Sequence, residues 1–345
     1  MNSIERVMTT LQHREPDRVP VYPFMNGISR TLVHASYPLW ATDADVAAQA
    51  LIKVTDELGL DMICTLIDLS VEAADFGQAV VFPRSEAPHP DHNNRLIRQP
   101  EDYRRLEPVN PRQSPRMGMQ IRLCDRLVKA KGQQVVIVPF VFSPLGVLSM
   151  LRGQADFLMD LLDDPHAVKQ AVEVVTETLM AYCDALIETG VHAVMFATLY
   201  ASQSIMSKSM WKEFEGPAVK RLADRVRQQD CLVMIHNCGN GPYFDAMIEA
   251  MNPKAISFLH VADDCESLAE VKAKYGQRTA LMGCIPPPWI ATATADEVMA
   301  ECQRQIATLG EGGGYILATG CEYPANASMD NARVMVQAAK KHGRY

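Results

Sequence analysis

Eight short apolar runs recur along the chain, each followed by a loop and then by a stretch whose apolar positions repeat with helical spacing. The runs are Val19–Phe24, Met62–Leu66, Val135–Phe142, Ala193–Leu199, Leu232–His236, Ala255–His260, Thr279–Cys284 and Tyr315–Thr319. Most lack polar alternation, the pattern of strands buried on both faces of a parallel sheet. Between them the spacing predicts helices. Ala44–Leu58 has Thr42 or Asp43 to cap its start and Gly59 to end it. Asp164-Pro165 opens a long helix to about Thr189, stopped by Gly190, with proline in the first turn where its missing N–H costs least. Further helices are predicted over Ser209–Arg227, Tyr243–Met251, Ser267–Lys274, Ala295–Leu309 and Asn331–Lys341.

Eight strands alternating with helices predict an α/β fold, a (β/α)8 TIM barrel formed as a single domain over residues 1–345. The alternative is an open doubly wound sheet, and no GxGxxG follows a strand to support it. Pro83–Pro115, rich in Pro, Asn, His and Arg, reads as an excursion after the second strand, either a solvated loop or a lid.

Composition narrows the function. Hydrophobic residues are 48% of the chain, enough for one large core, so no second domain is needed to explain its length. A net charge of −8 disfavours binding to nucleic acid or anionic membrane, which calls for a basic surface. The first twenty residues carry no apolar signal-peptide core, and no uninterrupted apolar run is long enough to span a bilayer. A cytoplasmic protein is expected. Its nine cysteines then read as buried thiols or metal ligands rather than a disulfide framework.

In a barrel of this kind chemistry sits where strands end, at the C-terminal face. The fifth run ends in LVMIHNCGNG, where His236 and Cys238 are two apart and point the same way if the strand persists. The eighth ends in YILATGCEYP, which brings Cys321 to the same rim. One imidazole and two thiolates suit Zn²⁺ and leave a fourth position for water or substrate, as catalytic zinc requires. His260 of ISFLH and Cys284 of LMGC end neighbouring strands and are candidates for a fourth ligand, a supporting hydrogen bond or a substrate contact. Glu322, beside Cys321, is a candidate displaceable oxygen ligand or catalytic carboxylate. Cys64, Cys124, Cys183, Cys231, Cys265 and Cys302 fall inside elements and read as structural.

EPDRVPVYPF at the start, DLSVEAADFG over Asp68–Gly77, FSPLGVLSMLRG over Phe142–Gly153, HNCG and ATGCEYP together resemble the landmarks of the uroporphyrinogen decarboxylase superfamily over nearly the whole chain. Within it, the His-x-Cys…Cys pattern resembles zinc-dependent corrinoid methyltransferases, either of coenzyme M or of methyl ethers (O-demethylases). The resemblance implies the barrel, zinc, and a corrinoid (cobalamin) supplied by a partner corrinoid-binding protein. The decarboxylases differ at the site. They carry two arginines four apart after the first strand, where this chain keeps Arg30 but has Asn26, and a Gly-His-Gly-type turn where it has Gly320-Cys321-Glu322. Asp68 lies roughly where their catalytic aspartate falls.

The expected function is transfer of a methyl group from a small methylated substrate, a methyl ether first, to the cobalt of a corrinoid protein. The alternative is methyl transfer from methylcobalamin to a thiol. Uroporphyrinogen decarboxylation and a non-catalytic zinc subunit come after these. The tilt to ethers rests on the resemblance: HNCGNGPYFD, SFLHVADD, GCIPPPW and GCEYPANA around the zinc differ from the thiol-methylating pattern, which tends to have Asn at the position of Cys284. Asp68 and Glu72 are expected to serve the substrate, as carboxylates that orient it or accept a proton. Asn26, Arg30 and Tyr200 join His260 and Cys284 as candidate substrate contacts, and Trp289, Phe24 and Tyr22 are candidate aromatic walls.

Overall fold

Seven of the eight apolar runs form parallel strands in a single curled sheet. In the computed structural model, which describes residues 1–345, they are β1 (Met62–Thr65), β2 (Val136–Phe142), β3 (Ala193–Ala197), β4 (Leu232–Asn237), β5 (Ala255–Phe258), β6 (Ala280–Ile285) and β7 (Tyr315–Thr319), hydrogen-bonded in chain order. Every residue of β2, β3, β5, β6 and β7 is buried, as unalternating runs require when both faces are covered. Helices wrap the outside, and one continuous apolar core runs through the sheet and under them.

The remaining run, Val19–Phe24, the first along the chain, forms no strand, a correction to the predicted pattern. It still lies between the sheet's two edges. Tyr22 N–H donates to Leu317 O (2.9 Å) and Leu317 N–H to Pro20 O (2.9 Å), while Asp61 N–H, just before β1, donates to Val21 O (3.2 Å). Pro20 and Pro23 have no N–H to give, and Phe24 turns out of the extended region at φ 39°. The pairing therefore stays a single bridge between Val21 and Leu317 instead of a ladder.

Asp43 caps Ala44–Leu58, accepting from Asp45 N–H (2.9 Å), and Gly59 ends the helix in the left-handed region at φ 71°. Asp164 caps Pro165–Ile187 through Ala167 N–H (3.0 Å). The predicted helix Ser209–Arg227 is instead two, Lys208–Phe214 and Gly216–Arg227, broken at Glu215. The buried Glu215 carboxylate accepts from Leu145 N–H (2.8 Å) and Trp211 Nε1 (2.7 Å), so the break serves the start of the helix Pro144–Arg152.

Val80–Val81, just before the Pro83–Pro115 excursion, pair antiparallel with His89–Pro90 inside it, and a 3₁₀ turn follows over Pro100–Arg105. No helix is long and apolar enough to cross a membrane.

Candidate metal centre

β4 and β7 deliver the cluster. His236 lies within β4, Cys238 one residue past its end, and Cys321 two residues past the end of β7. One ligand atom from each of the three residues lies within 4.8 Å of the others. Donors around one tetrahedral zinc stand roughly 3.3–3.8 Å apart for bonds of about 2.0–2.3 Å, so the cluster needs only small side-chain adjustment to close on an ion. Gly320 makes the approach possible, since a Cβ there would strike Leu259.

Sheet register orients the imidazole. His236 pairs with Ser257 across β4 and β5, and the Ser257 hydroxyl lies 3.0 Å from Nδ1. That contact occupies Nδ1 and leaves Nε2 for a metal, the usual division of labour in a ligating histidine. The rings of Phe24 and Phe140 stand 5.6 and 5.5 Å from the imidazole, walling it from water. The two thiols lie close enough to act on each other: the neighbouring Cys321 holds the Cys238 thiol below its ordinary value, and Cys238, with burial, pushes Cys321 up to about 12. A thiol that binds zinc does so as thiolate, so metal binding here would release protons.

Glu322 does not join the three donors. Its Oε1 accepts from Gly27 N–H (2.8 Å), beside the Tyr37 hydroxyl, and burial pushes its carboxyl up to about 8, with Cys321 and Asp68 adding to the effect. His260 is exposed and stands apart from the cluster. Cys284 is buried, its thiol pushed up to about 12 by desolvation, and is also outside it. The three donors that come together are therefore those at the ends of β4 and β7.

Asp68, 5% exposed, accepts from Ser70 N–H and Oγ (2.8 Å each) and pairs with the buried Arg116. Glu72 lies outside the cluster, accepting from Phe142 N–H at 3.0 Å. Asn26 is fully buried, with its Nδ2 unpartnered. Arg30 reaches the Ser85 carbonyl (3.3 Å) and the Asn326 side chain (3.1 Å), and lies over the Tyr37 ring. Tyr200 packs against Phe157 and lines a cavity of about 310 Å³ with Leu69, Met150, Phe142 and Leu199. Phe142 packs against Phe140 (5.5 Å), and Phe140 against His236 (5.5 Å), so two aromatic rings stand between this cavity and the cluster. Trp289 is only half buried, whereas Tyr22 and Phe24 are fully so.

Ser257, Arg116 and Tyr37 carry no signal in the sequence. Ser257 is invisible until strand register is known, and Arg116 lies 48 residues from its partner Asp68.

A family model described as Uroporphyrinogen decarboxylase (URO-D) matches residues 2–342. The methylcobamide:CoM methyltransferase MtbA of Methanosarcina acetivorans is 20% identical over 98% of this chain and 97% of its own length. The methylcobamide:CoM methyltransferase MtaA of Methanosarcina barkeri is 22% identical over the same shares. A solved methyltransferase from Methanosarcina mazei superposes with a TM-score of 0.84 at 20% identity, covering 99% of each chain, which supports the barrel-like fold.

Proposed function

The chain belongs to the uroporphyrinogen decarboxylase family, and from that premise we propose that it is a zinc-dependent methyltransferase, taking a methyl group from a small methyl ether to the cobalt of a corrinoid held by a separate protein. The observation that carries this reading is the convergence of His236, Cys238 and Cys321. One imidazole and two thiols form a borderline-soft donor set suited to zinc, and three protein ligands leave a position open. Methyl transfer is also what the names of the similar proteins describe.

Bound there, zinc would act as a Lewis acid on the ether oxygen that loses its methyl group. The protein's own groups do the rest. Ser257 holds the His236 ring with Nε2 free. Phe24 and Phe140 keep water from the imidazole. The cavity beside Phe142 and Tyr200 takes the body of the substrate. Asp68 and Glu322 are the carboxyl groups that orient it, Asp68 through Arg116 and Glu322 from its seat on Gly27. Glu72 acts on β2 through Phe142 and only indirectly on the substrate. His260, Cys284 and Asn26 remain rim and wall positions around the open coordination site. The same reading takes residues 1–345 as one closed barrel in the cytoplasm, with Val19–Phe24 as its eighth stave.

A second reading, methylation of a thiol from methylcobalamin, is favoured by the CoM-directed activity in the relatives' names. One assay separates the two. Chemically reduced cobalamin is offered methoxylated aromatics, and methylcobalamin is offered thiols. Methyl gain by cob(I)alamin with release of a phenol, with both the transfer and the bound zinc lost in Cys321→Ser, is the expected result. Methylation of thiols alone overturns the ether assignment, and no transfer in either direction overturns the corrinoid reading.

A further inference from the structure

Between the two donors of β4 stands Asn237, which strand alternation sends to the opposite face of the sheet from His236. It is fully buried, at the end of a run that is apolar up to His236. Its amide is satisfied on both sides. Nδ2 donates to Thr198 O (2.7 Å) and Ala201 O (3.1 Å), and Oδ1 accepts from Gly239 N–H (2.9 Å). The first two bonds grip the chain just past β3, and the third closes a turn around Cys238. Packing alone would be served by an apolar residue. What the amide adds is a fixed path for the chain on either side of Cys238.

That path continues beyond the cysteine, where the loop after β4 pairs with the loop after β3. Ser204 N–H donates to Asn240 O (3.2 Å), Gln203 N–H to Gly241 O (3.0 Å) and Tyr243 N–H to Ala201 O (2.9 Å), with Ser202 bridged to Pro242. Gly239 is pressed so closely on Ser202 that a Cβ there would strike the serine side chain. The β3 loop carries Leu199, Tyr200 and Ile205, which wall the cavity of about 310 Å³. Cys238 and that wall thus belong to one hydrogen-bonded pair of loops, and Asn237 is the side chain that joins the pair to β4.

We propose that Asn237 is a positioning residue for the metal centre: it fixes the Cys238 thiol relative to His236 and ties it to the wall of the substrate cavity. The inference rests on the zinc reading above for its metal. Cys238 lies past the β4–β5 ladder, which ends with Asn237 against Phe258, so the ladder does not hold it. Its Sγ must nevertheless stay within 4.8 Å of the other two donor atoms for one ion to reach all three. Without the amide the Gly239 N–H loses its partner, the turn opens, and the thiol drifts from the imidazole. Asn237 therefore acts on sulfur, where Ser257 acts on the ring.

The test loads the metal-free protein with Co²⁺, which takes the same imidazole and thiolate donors and whose thiolate charge-transfer absorption counts bound sulfur. Zinc affinity is measured beside it by chelator competition. At saturating Co²⁺ the wild type is expected to show two thiolates and Asn237→Ala one, matching Cys238→Ser, with zinc affinity lowered about tenfold to hundredfold. Ser257→Ala keeps both thiolates in the same measurement; loss of a thiolate there as well would make the effect a general loosening and overturn the assignment. Should Asn237→Ala fail to fold, Gly239→Ala displaces the same loop by its contact with Ser202, and adding Ser202→Gly returns the space. A thiolate lost in Gly239→Ala and regained in the double variant supports the proposal, and two thiolates in both overturn it. An Asn237→Ala protein that keeps both thiolates and the wild-type affinity overturns the positioning role, whatever its thermal transition, and leaves the zinc centre standing. A wild type without thiolate absorption overturns the zinc reading itself, and the positioning role with it.

Discussion

His236 shows how much of a site depends on a residue that carries no chemistry of its own. Its ring is set by Ser257, 3.0 Å from Nδ1, through a cross-strand pairing between β4 and β5. Partners of this kind fix the tautomer and orientation of a metal-binding imidazole, and their loss costs about 10–100-fold in metal affinity. Ser257→Ala is therefore expected to weaken zinc binding by about that factor in a chelator competition, with the thermal transition of the metal-free protein nearly unchanged. An unaltered affinity would mean that the ring is held by Phe24 and Phe140 alone. The three donors are legible in the sequence because each falls at or just past a strand end, where side chains reach a barrel's mouth. Ser257, Tyr37 and Arg116 are not, because their roles arise from register, from the approach of Gly27, and from a 48-residue separation across the fold.

At the scale of elements, the base of β1 is held by a single carboxylate. Asp61 is fully buried and accepts from Arg6 Nη1 (2.8 Å), Arg18 Nη1 (2.9 Å), Ser3 Oγ (2.8 Å) and Val21 N–H (2.8 Å). It thus joins the helix Ser3–Leu11, the Val19–Phe24 segment and β1. Removing one partner of a buried pair leaves the other charges uncompensated and costs about 3–5 kcal/mol. Asp61→Ala should lose stability of that order in urea unfolding; a loss under about 1 kcal/mol would mean that the arginines find water instead. Nothing in the apolar pattern marks this role, since a lone Asp before a strand looks like a turn residue. The strands themselves are legible because an unalternating apolar run too short for a buried helix fits a strand covered on both faces. Their ends are less so: the run Ala255–His260 overshoots its strand, because Leu259 and His260 continue the pattern after the ladder has ended. The helix Pro115–Lys131 escapes the apolar pattern, since Arg116, Arg122, Arg126 and Lys129 dilute its stripe and Gly118 interrupts it.

The whole molecule combines a curled parallel sheet with buried carboxylates at its rim, and this couples folding to pH. Glu72 is 2% exposed, accepts from Phe142 N–H, and is pushed up to about 7 by burial. Its folded value lies above the ordinary unfolded value of about 4.3, so between those limits the native state holds the extra proton. The stability it contributes is present in full below about pH 4.3 and is lost as pH rises through 7. Glu72→Gln keeps an oxygen for the Phe142 N–H but cannot ionise. Relative to the wild type it should therefore gain stability between pH 5 and pH 8, by an amount on the order of 3 kcal/mol at most. Urea unfolding of both proteins at the two pH values, with zinc saturating throughout, isolates the effect of this one carboxyl, because the metal ligands and Glu215 titrate alike in each. Parallel pH profiles would show that the Glu72 carboxylate stays ionised in the folded protein, its charge carried by the Phe142 amide. A profile steeper in the wild type would identify Glu72 as a buried acid that holds the end of β2 in its protonated form.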